Sequence, residues 1–121
     1  MALKDFFAND FETRDNHEMS ELRTHYYRAR YEDAKDAVIR VAKSKQMHVR
    51  SVDDAHKEVY LQASNHHLIL VLVNPNPAET AIDMKVTTYQ VIGMKRGIKI
   101  IMEFYKELDK QLTFKGVGLY R

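Results

Sequence analysis

The sequence predicts an α+β fold of two layers, in which a four-stranded antiparallel meander carries an N-terminal and a C-terminal helix on one face. Apolar residues recur at helical spacing in two segments, residues 31–45 and 95–112, as on the buried stripe of an amphipathic helix. Between these segments the spacing changes to the alternation typical of strands. The connections are too short for parallel crossovers, so the predicted order is helix, strand, strand, strand, strand, helix.

The first predicted helix covers residues 31–45. Its charged residues are mainly acidic early and basic late, the order that suits the helix dipole. Residues 22–30 either extend this helix or form a strand, and the adjacent Tyr26 and Tyr27 favour a strand. The apolar stripe of the helix consists of Tyr31, Ala34, Val38, Val41 and Ala42.

Two short alternating segments after the first helix predict a β-hairpin. One side of the first strand consists of Met47, Val49 and Ser51, and one side of the second consists of Val59, Leu61 and Ala63. Pairing Val49 with Leu61 brings the two apolar sides together. That register leaves residues 54–56 as the loop between the strands.

The next two predicted strands differ in the polarity of their second face. The fourth strand, residues 80–90, alternates between apolar and polar side chains, as expected where one face meets the core and the other meets water. The third strand, residues 68–73, is apolar on both faces. Ile69, Val71 and Val73, or their alternates, therefore form an apolar surface that needs a cover.

The second predicted helix covers residues 95–112 and has a wide apolar stripe. Residues 114–121 contain two glycines and suit a short extended ending. Pro75 and Pro77 predict a loop between the third and fourth strands, because proline cannot donate to a ladder. The stripe of the helix consists of Ile98, Ile101, Met102, Tyr105, Leu108 and Leu112.

The chain divides into an N-terminal amphipathic segment with a linker, residues 1–20, and a single domain, residues 21–121. Apolar residues at near-helical spacing, among them Phe6 and Phe7, suit a short helix over residues 2–11. A helix of that length is unstable alone in water, so it must dock. Phe6 and Phe7 are one candidate cover for the outer face of the third strand, beside a second subunit and a small ligand.

Composition excludes several classes of function. A chain of 121 residues, 45% apolar and 30% charged, is the size and composition of one globular domain. The absence of cysteine excludes disulfide scaffolds, thiolate metal sites and cysteine nucleophiles. No stretch approaches the ~20 apolar residues of a membrane span, and the first residues lack a secretion signal. We therefore expect a cytoplasmic protein with no integral membrane association.

No motif predicts a catalytic, cofactor or metal site. The six histidines show no pair at the spacing of a zincin helix, and His66 and His67 point to opposite faces of a strand. Gly93 and Gly97 precede the second helix without the spacing of a phosphate loop, although a helix start can bind an anion. Asp83 stands alone on the polar side of its strand, whereas general acid–base catalysis needs a partner and a cleft.

Binding of nucleic acid is not predicted either. Residues 23–31 interleave basic and aromatic side chains, as single-strand-binding surfaces do. However, acidic residues follow at once and the net charge is only +2. Solvated arginines beside core tyrosines explain the same pattern.

Three segments resemble a family of small uncharacterised cytosolic proteins from spore-forming Gram-positive bacteria. They are residues 22–27 (LRTHYY), 80–88 (TAIDMKVTT) and 116–119 (GVGL). The resemblance covers the chain from about residue 15 onward and implies a bacterial cytosolic protein. It implies no activity and assigns no site residue.

The leading functional hypothesis is a non-enzymatic binding or protein-interaction module that self-associates through the sheet as a homodimer. Its surface consists of Ile69, Val71 and Val73, with Phe6 and Phe7 as further candidates. The alternative is a small-ligand-binding or enzymatic domain with a cavity between the sheet and the helices.

Overall fold

A computed structural model describes residues 10–90 and 93–119 of the chain. Within this part all strand pairings are antiparallel, and the spatial order is β3-β4-β5-β6-β2-β7 with β1 also paired to β6. The fold is α+β, with a seven-stranded sheet and two α-helices. In chain order the elements are β1 (Asp10–Glu12), a 3-10 helix (Ser20–Leu22), β2 (His25–Arg28), α1 (Tyr31–Ser44), β3 (His48–Asp53), β4 (Glu58–Gln62), β5 (His66–Asn76), β6 (Glu79–Thr88), α2 (Met94–Gln111) and β7 (Thr113–Val117).

The predicted four-stranded meander with a helix at each end is wrong. Strands β3 to β6 form the predicted meander, but β1, β2 and β7 widen the sheet, and β7 follows the last helix. Each of these three strands has only three to five residues, too few for alternation to identify them. They are held by pairing with distant segments, which local spacing does not reveal. The preference for a strand within residues 22–30 is confirmed by β2.

Both helices pack on one face of the sheet. Helix α1 buries three alanines and two valines, small residues that let it lie close to the strands. The inward side chains of β5 and β6 complete the same hydrophobic core. These inward side chains, each at most 1% exposed, are Leu68, Leu70, Leu72, Ile82, Met84 and Val86.

The β3–β4 hairpin has the predicted register at its open end and a different one at its loop. Val49 pairs with Leu61 as predicted, but a bulge then shifts the register so that Asp53 pairs with Glu58. The loop therefore extends to Lys57, which has a left-handed φ of 55°. Bulges are common at exposed sheet edges, where they interrupt pairing with other chains.

The outer face of β5 is partly open. Ile69 and Val71 are half-buried, and Val73 is 50% exposed. Phe6 and Phe7, the predicted intramolecular cover, lie outside the described residues. The doubly apolar strand thus buries its leucines against the helices and presents its β-branched residues on the other side.

Strand β1 replaces the described end of the helix expected over residues 2–11. Phe11 pairs with Val86 of β6, and its ring lies directly on Gly97 of α2. Pairing with a distant strand overrides the local helical spacing that predicted otherwise. The rest of that expected helix is outside the part of the chain described.

Candidate functional site

An open groove of about 860 Å³ runs along the surface of α2, beside the connection between β1 and β2. We call it the α2 groove. Its volume falls in the range of small-molecule binding sites, about 300–1,000 Å³. Its base and apolar floor are formed by Met19, His25, Ile98, Met102, Tyr105 and Asp109.

A histidine–aspartate pair lies at the base of the groove. His25 Nδ1 is 3.1 Å from Asp109 Oδ1, and the Tyr27 hydroxyl donates to the same oxygen at 2.6 Å. Because this carboxylate oxygen acts as an acceptor, we assign the ring hydrogen of His25 to Nδ1. Within residues 10–90 and 93–119, no hydrogen bond is made by Nε2, and every buried side-chain nitrogen or oxygen has a partner. Nε2 therefore opens to solvent.

Aromatic side chains fix the plane of the His25 ring. It stacks on Tyr105 with 3.6 Å between centroids and an interplanar angle of 5°. Phe114 of β7 packs at a tilt, with 5.1 Å between centroids. Tyr105 is itself anchored, because its hydroxyl donates to the carbonyl oxygen of Ile82 at 2.6 Å. The imidazole is thus held on its face and through Nδ1.

The two tyrosines beside the pair remain protonated. Burial raises the pKa of Tyr27 far above its usual range, and the hydrogen bond to Asp109 with its negative charge acts in the same direction. Burial likewise raises the pKa of Tyr105. Their hydroxyls are therefore fixed hydrogen-bond donors at physiological pH.

Local periodicity places these side chains together. His25 and Tyr27 are two residues apart in β2, so both point toward the helices. Met102, Tyr105 and Asp109 follow one another at three- and four-residue spacing on one face of α2. Sequence reasoning missed the site because His25 lies in residues 22–30, for which both a helix extension and a strand stayed open. The alternation of His25 with Tyr27 identifies the site only once β2 is known.

The lining of the groove carries charges of both signs, with lysines in slight excess. Lysines outnumber acidic residues along its lining by four to three. Lys99 Nζ lies 3.9 Å from Glu103 Oε1, and Lys110 Nζ lies 3.4 Å from Glu107 Oε1. Such exposed pairs are weak, so the lysine side chains are free to turn toward a ligand. The lining lysines are Lys95, Lys99, Lys106 and Lys110.

Asp83, isolated in the sequence, gains partners in the fold. Thr13 Oγ1 donates to Asp83 Oδ1 at 2.7 Å, and Thr24 Oγ1 donates to the same oxygen at 2.5 Å. The cluster lies where β1 ends and β2 begins along one edge of β6. Burial raises the pKa of Asp83, although the threonine hydrogen bonds oppose this shift. The cluster ties the N-terminal strand to the sheet.

Asp83→Asn is expected to raise the melting temperature at neutral pH. A carboxyl group whose folded pKa is raised contributes its full stability below the unfolded pKa and loses it as the pH rises through the folded pKa. Asparagine keeps an acceptor for the threonine hydroxyls and carries no charge. Thermal unfolding between about pH 4 and 8 should show a gain that shrinks in acid, and the exposed Asp36→Asn serves as the control. A gain that is independent of pH would contradict the prediction.

The other side chains singled out in the sequence do not converge. Among the residues described, no group of three or more histidine, aspartate or glutamate side chains is placed to hold a metal ion. His56 Nδ1 pairs with Asp53 Oδ2 at 2.7 Å in the exposed β3–β4 loop. Gly93 precedes α2 and Gly97 lies inside it. No helix in the described segments is long and apolar enough to cross a membrane.

Comparison with family models and with curated sequences gives no guide to this site. No family model matches the chain, and no curated protein sequence matches it. The function must therefore be argued from the chemistry of the α2 groove and of the sheet surface.

Proposed function

We propose that the protein binds a small amphipathic molecule, a single acyl chain with a carboxylate head group, in the α2 groove. The observation that carries this proposal is the His25–Asp109 pair at the base of an apolar groove of about 860 Å³. Ligand sites characteristically combine an apolar lining with a few oriented polar groups.

The floor of the groove suits an acyl chain. Met102 is 47% exposed although it lies on the apolar stripe of α2, and Met19 and Ile98 line the same groove. Exposed apolar side chains gathered in a concave surface mark binding sites. Methionine adapts to ligands of different shape because its side chain is unbranched and flexible.

The rim of the groove suits an anionic head group. Lys95 and Lys106 line it, and the structure shows no ion pair for either among the described residues. A carboxylate near these ammonium groups gains charge-assisted hydrogen bonds.

Octanoate is the probe for this proposal, with binding measured by calorimetry and by chemical shifts of the methionine methyl groups. Met102→Lys should weaken binding by about tenfold or more, because it places a charge on the apolar floor. Val73→Lys is the matched control, since Val73 is similarly exposed on the opposite side of the molecule. The absence of octanoate binding, or equal weakening by both substitutions, would overturn the proposal.

A second candidate function is self-association through the outer face of β5, as the doubly apolar strand predicts. Ile69 is placed between Tyr60 and Lys85, and Val71 between acidic side chains of β4 and β6. Because charges of both signs flank the apolar stripe, the same surface on a second copy can complement it. This supports a homodimer.

Sedimentation at micromolar concentration tests the homodimer. We expect a dimer for the wild-type protein and for Met102→Lys, and a monomer for Val73→Lys. A wild-type monomer would contradict self-association without affecting the octanoate proposal. The two substitutions thus act as controls for each other.

Two further expectations from the sequence belong to this proposal. A cytoplasmic location is supported by the absence of cysteine. Membership of the bacterial family is supported by the three resembling segments.

A further inference from the structure

We infer that the His25–Asp109 pair hydrolyses esters of the acyl chain that the groove binds, with His25 as the general base. The inference rests on the proposed function, because the groove must hold the acyl chain beside the pair. Its substrate class is a carboxylic ester with one medium-length acyl chain.

The reaction requires only water as co-substrate. His25 Nε2 takes a proton from a water molecule while the water oxygen forms a bond to the ester carbonyl carbon. The tetrahedral intermediate collapses, the bond from that carbon to the alcohol oxygen breaks, and the imidazolium returns the proton to the departing alcohol oxygen. The products are the acid and the alcohol, and the histidine regains its starting state.

The geometry orients His25 for this role. Nδ1 is held by Asp109 at 3.1 Å, which leaves the lone pair of Nε2 directed away from the carboxylate. The stack on Tyr105, with 3.6 Å between ring centroids, restricts rotation of the imidazole. Asp109 is a positioning residue that also stabilises the imidazolium, as the aspartate of a serine–histidine–aspartate triad does. Tyr27 fixes the carboxylate in turn at 2.6 Å.

The surroundings supply the remaining requirements. The pair is shielded, since the side chains of His25 and Asp109 are 14% and 28% exposed, and electrostatic interactions are stronger where water is partly excluded. The lysines that line the same groove give it positive charge, which favours a developing oxyanion. The leaving alcohol exits through the open side.

The chain contains a second histidine–aspartate pair that serves as an internal control. His56 Nδ1 lies 2.7 Å from Asp53 Oδ2, but these side chains are 76% and 50% exposed. Neither residue lines the α2 groove. Both histidines are therefore paired with an aspartate, but only His25 also lines the α2 groove.

The experiment measures hydrolysis of 4-nitrophenyl octanoate and 4-nitrophenyl acetate by the wild-type protein and its variants. His25→Gln should lower kcat/KM for the octanoate ester by about 100-fold, whereas His56→Gln should leave it unchanged. Asp109→Asn should lower kcat with KM little altered. The substitution disturbs the general base, His25, and leaves the apolar side chains that hold the acyl chain unchanged. The preference for the octanoate ester over the acetate ester should be lost in Met102→Lys. Circular dichroism verifies that each variant is folded.

The outcomes distinguish a failure of ester hydrolysis from a failure of acyl-chain binding in the α2 groove. Equal rates for the wild-type protein, His25→Gln and His56→Gln would overturn the hydrolytic role, and retained octanoate binding would then leave the proposed function intact. If the Asp109→Asn variant misfolds, the test can still be made, because the comparison of His25→Gln with His56→Gln decides whether His25 is the general base. If wild-type protein fails to bind octanoate, both proposals are overturned.

Discussion

Leu70→Ala should lower the free energy of unfolding by about 2–5 kcal/mol, because it removes a core side chain and leaves a cavity. Leu70 has no exposed surface, whereas Val73, on the opposite face of the same strand, is 50% exposed. In the monomer, Val73→Ala should therefore cost less than about 1 kcal/mol, the full span of strand propensity. Urea denaturation of both variants and the wild-type protein measures the difference.

The comparison also reports on what covers β5 in solution. Measured at micromolar protein concentration, a loss for Val73→Ala that approaches the loss for Leu70→Ala would mean that the outer face is buried. That result would support the homodimer, in which a second subunit covers this face, whereas a small loss is the result expected of the monomer. A midpoint of urea denaturation that depends on protein concentration would identify a second subunit as the cover.

Gly97→Ala should lower the free energy of unfolding by about 1–3 kcal/mol through overpacking, although alanine is the better helix former by about 1 kcal/mol. A Cβ at this position would lie 2.5 Å from two carbons of the Phe11 ring and 2.6 Å from a third. Phe11 is only 7% exposed, so its ring must leave a packed position. Displacing it also disturbs the pairing of β1 with β6.

A double-mutant cycle distinguishes steric conflict from any other cost. In the background of Phe11→Ala, the substitution Gly97→Ala should become stabilising, because the obstructing ring is gone and the helical preference remains. Thermal or urea unfolding of the four proteins gives the coupling energy. Additive effects would show that Phe11 is not the reason for glycine at position 97.

The tertiary structure explains why the outer strands escaped sequence reasoning. Strand β1 is held by β6, and β2 lies between β6 and β7, two strands from the C-terminal half of the chain. Phe11 reads as part of a helical stripe when only its neighbours in sequence are considered. Its pairing with Val86 places it in a strand instead, because tertiary context overrides such weak local preferences.

The candidate site escaped for the same reason. His25 and Asp109 are separated by 84 positions, and Thr13 and Asp83 by 70. No local spacing connects residues so far apart. Each side chain taken alone is an ordinary surface residue, and its chemistry appears only when the fold supplies the partner.

The sequence by itself determined the α+β class, helices close to Tyr31–Ser44 and Met94–Gln111, and the core meander of the sheet. These features have periodicities that repeat over many neighbouring residues, so burial on one face leaves a readable pattern. The tertiary structure alone decided the number of strands, the direction in which β5 turns its leucines, and the pairing of His25 with Asp109. Those features depend on contacts between distant segments, whose energy is absent from any local pattern.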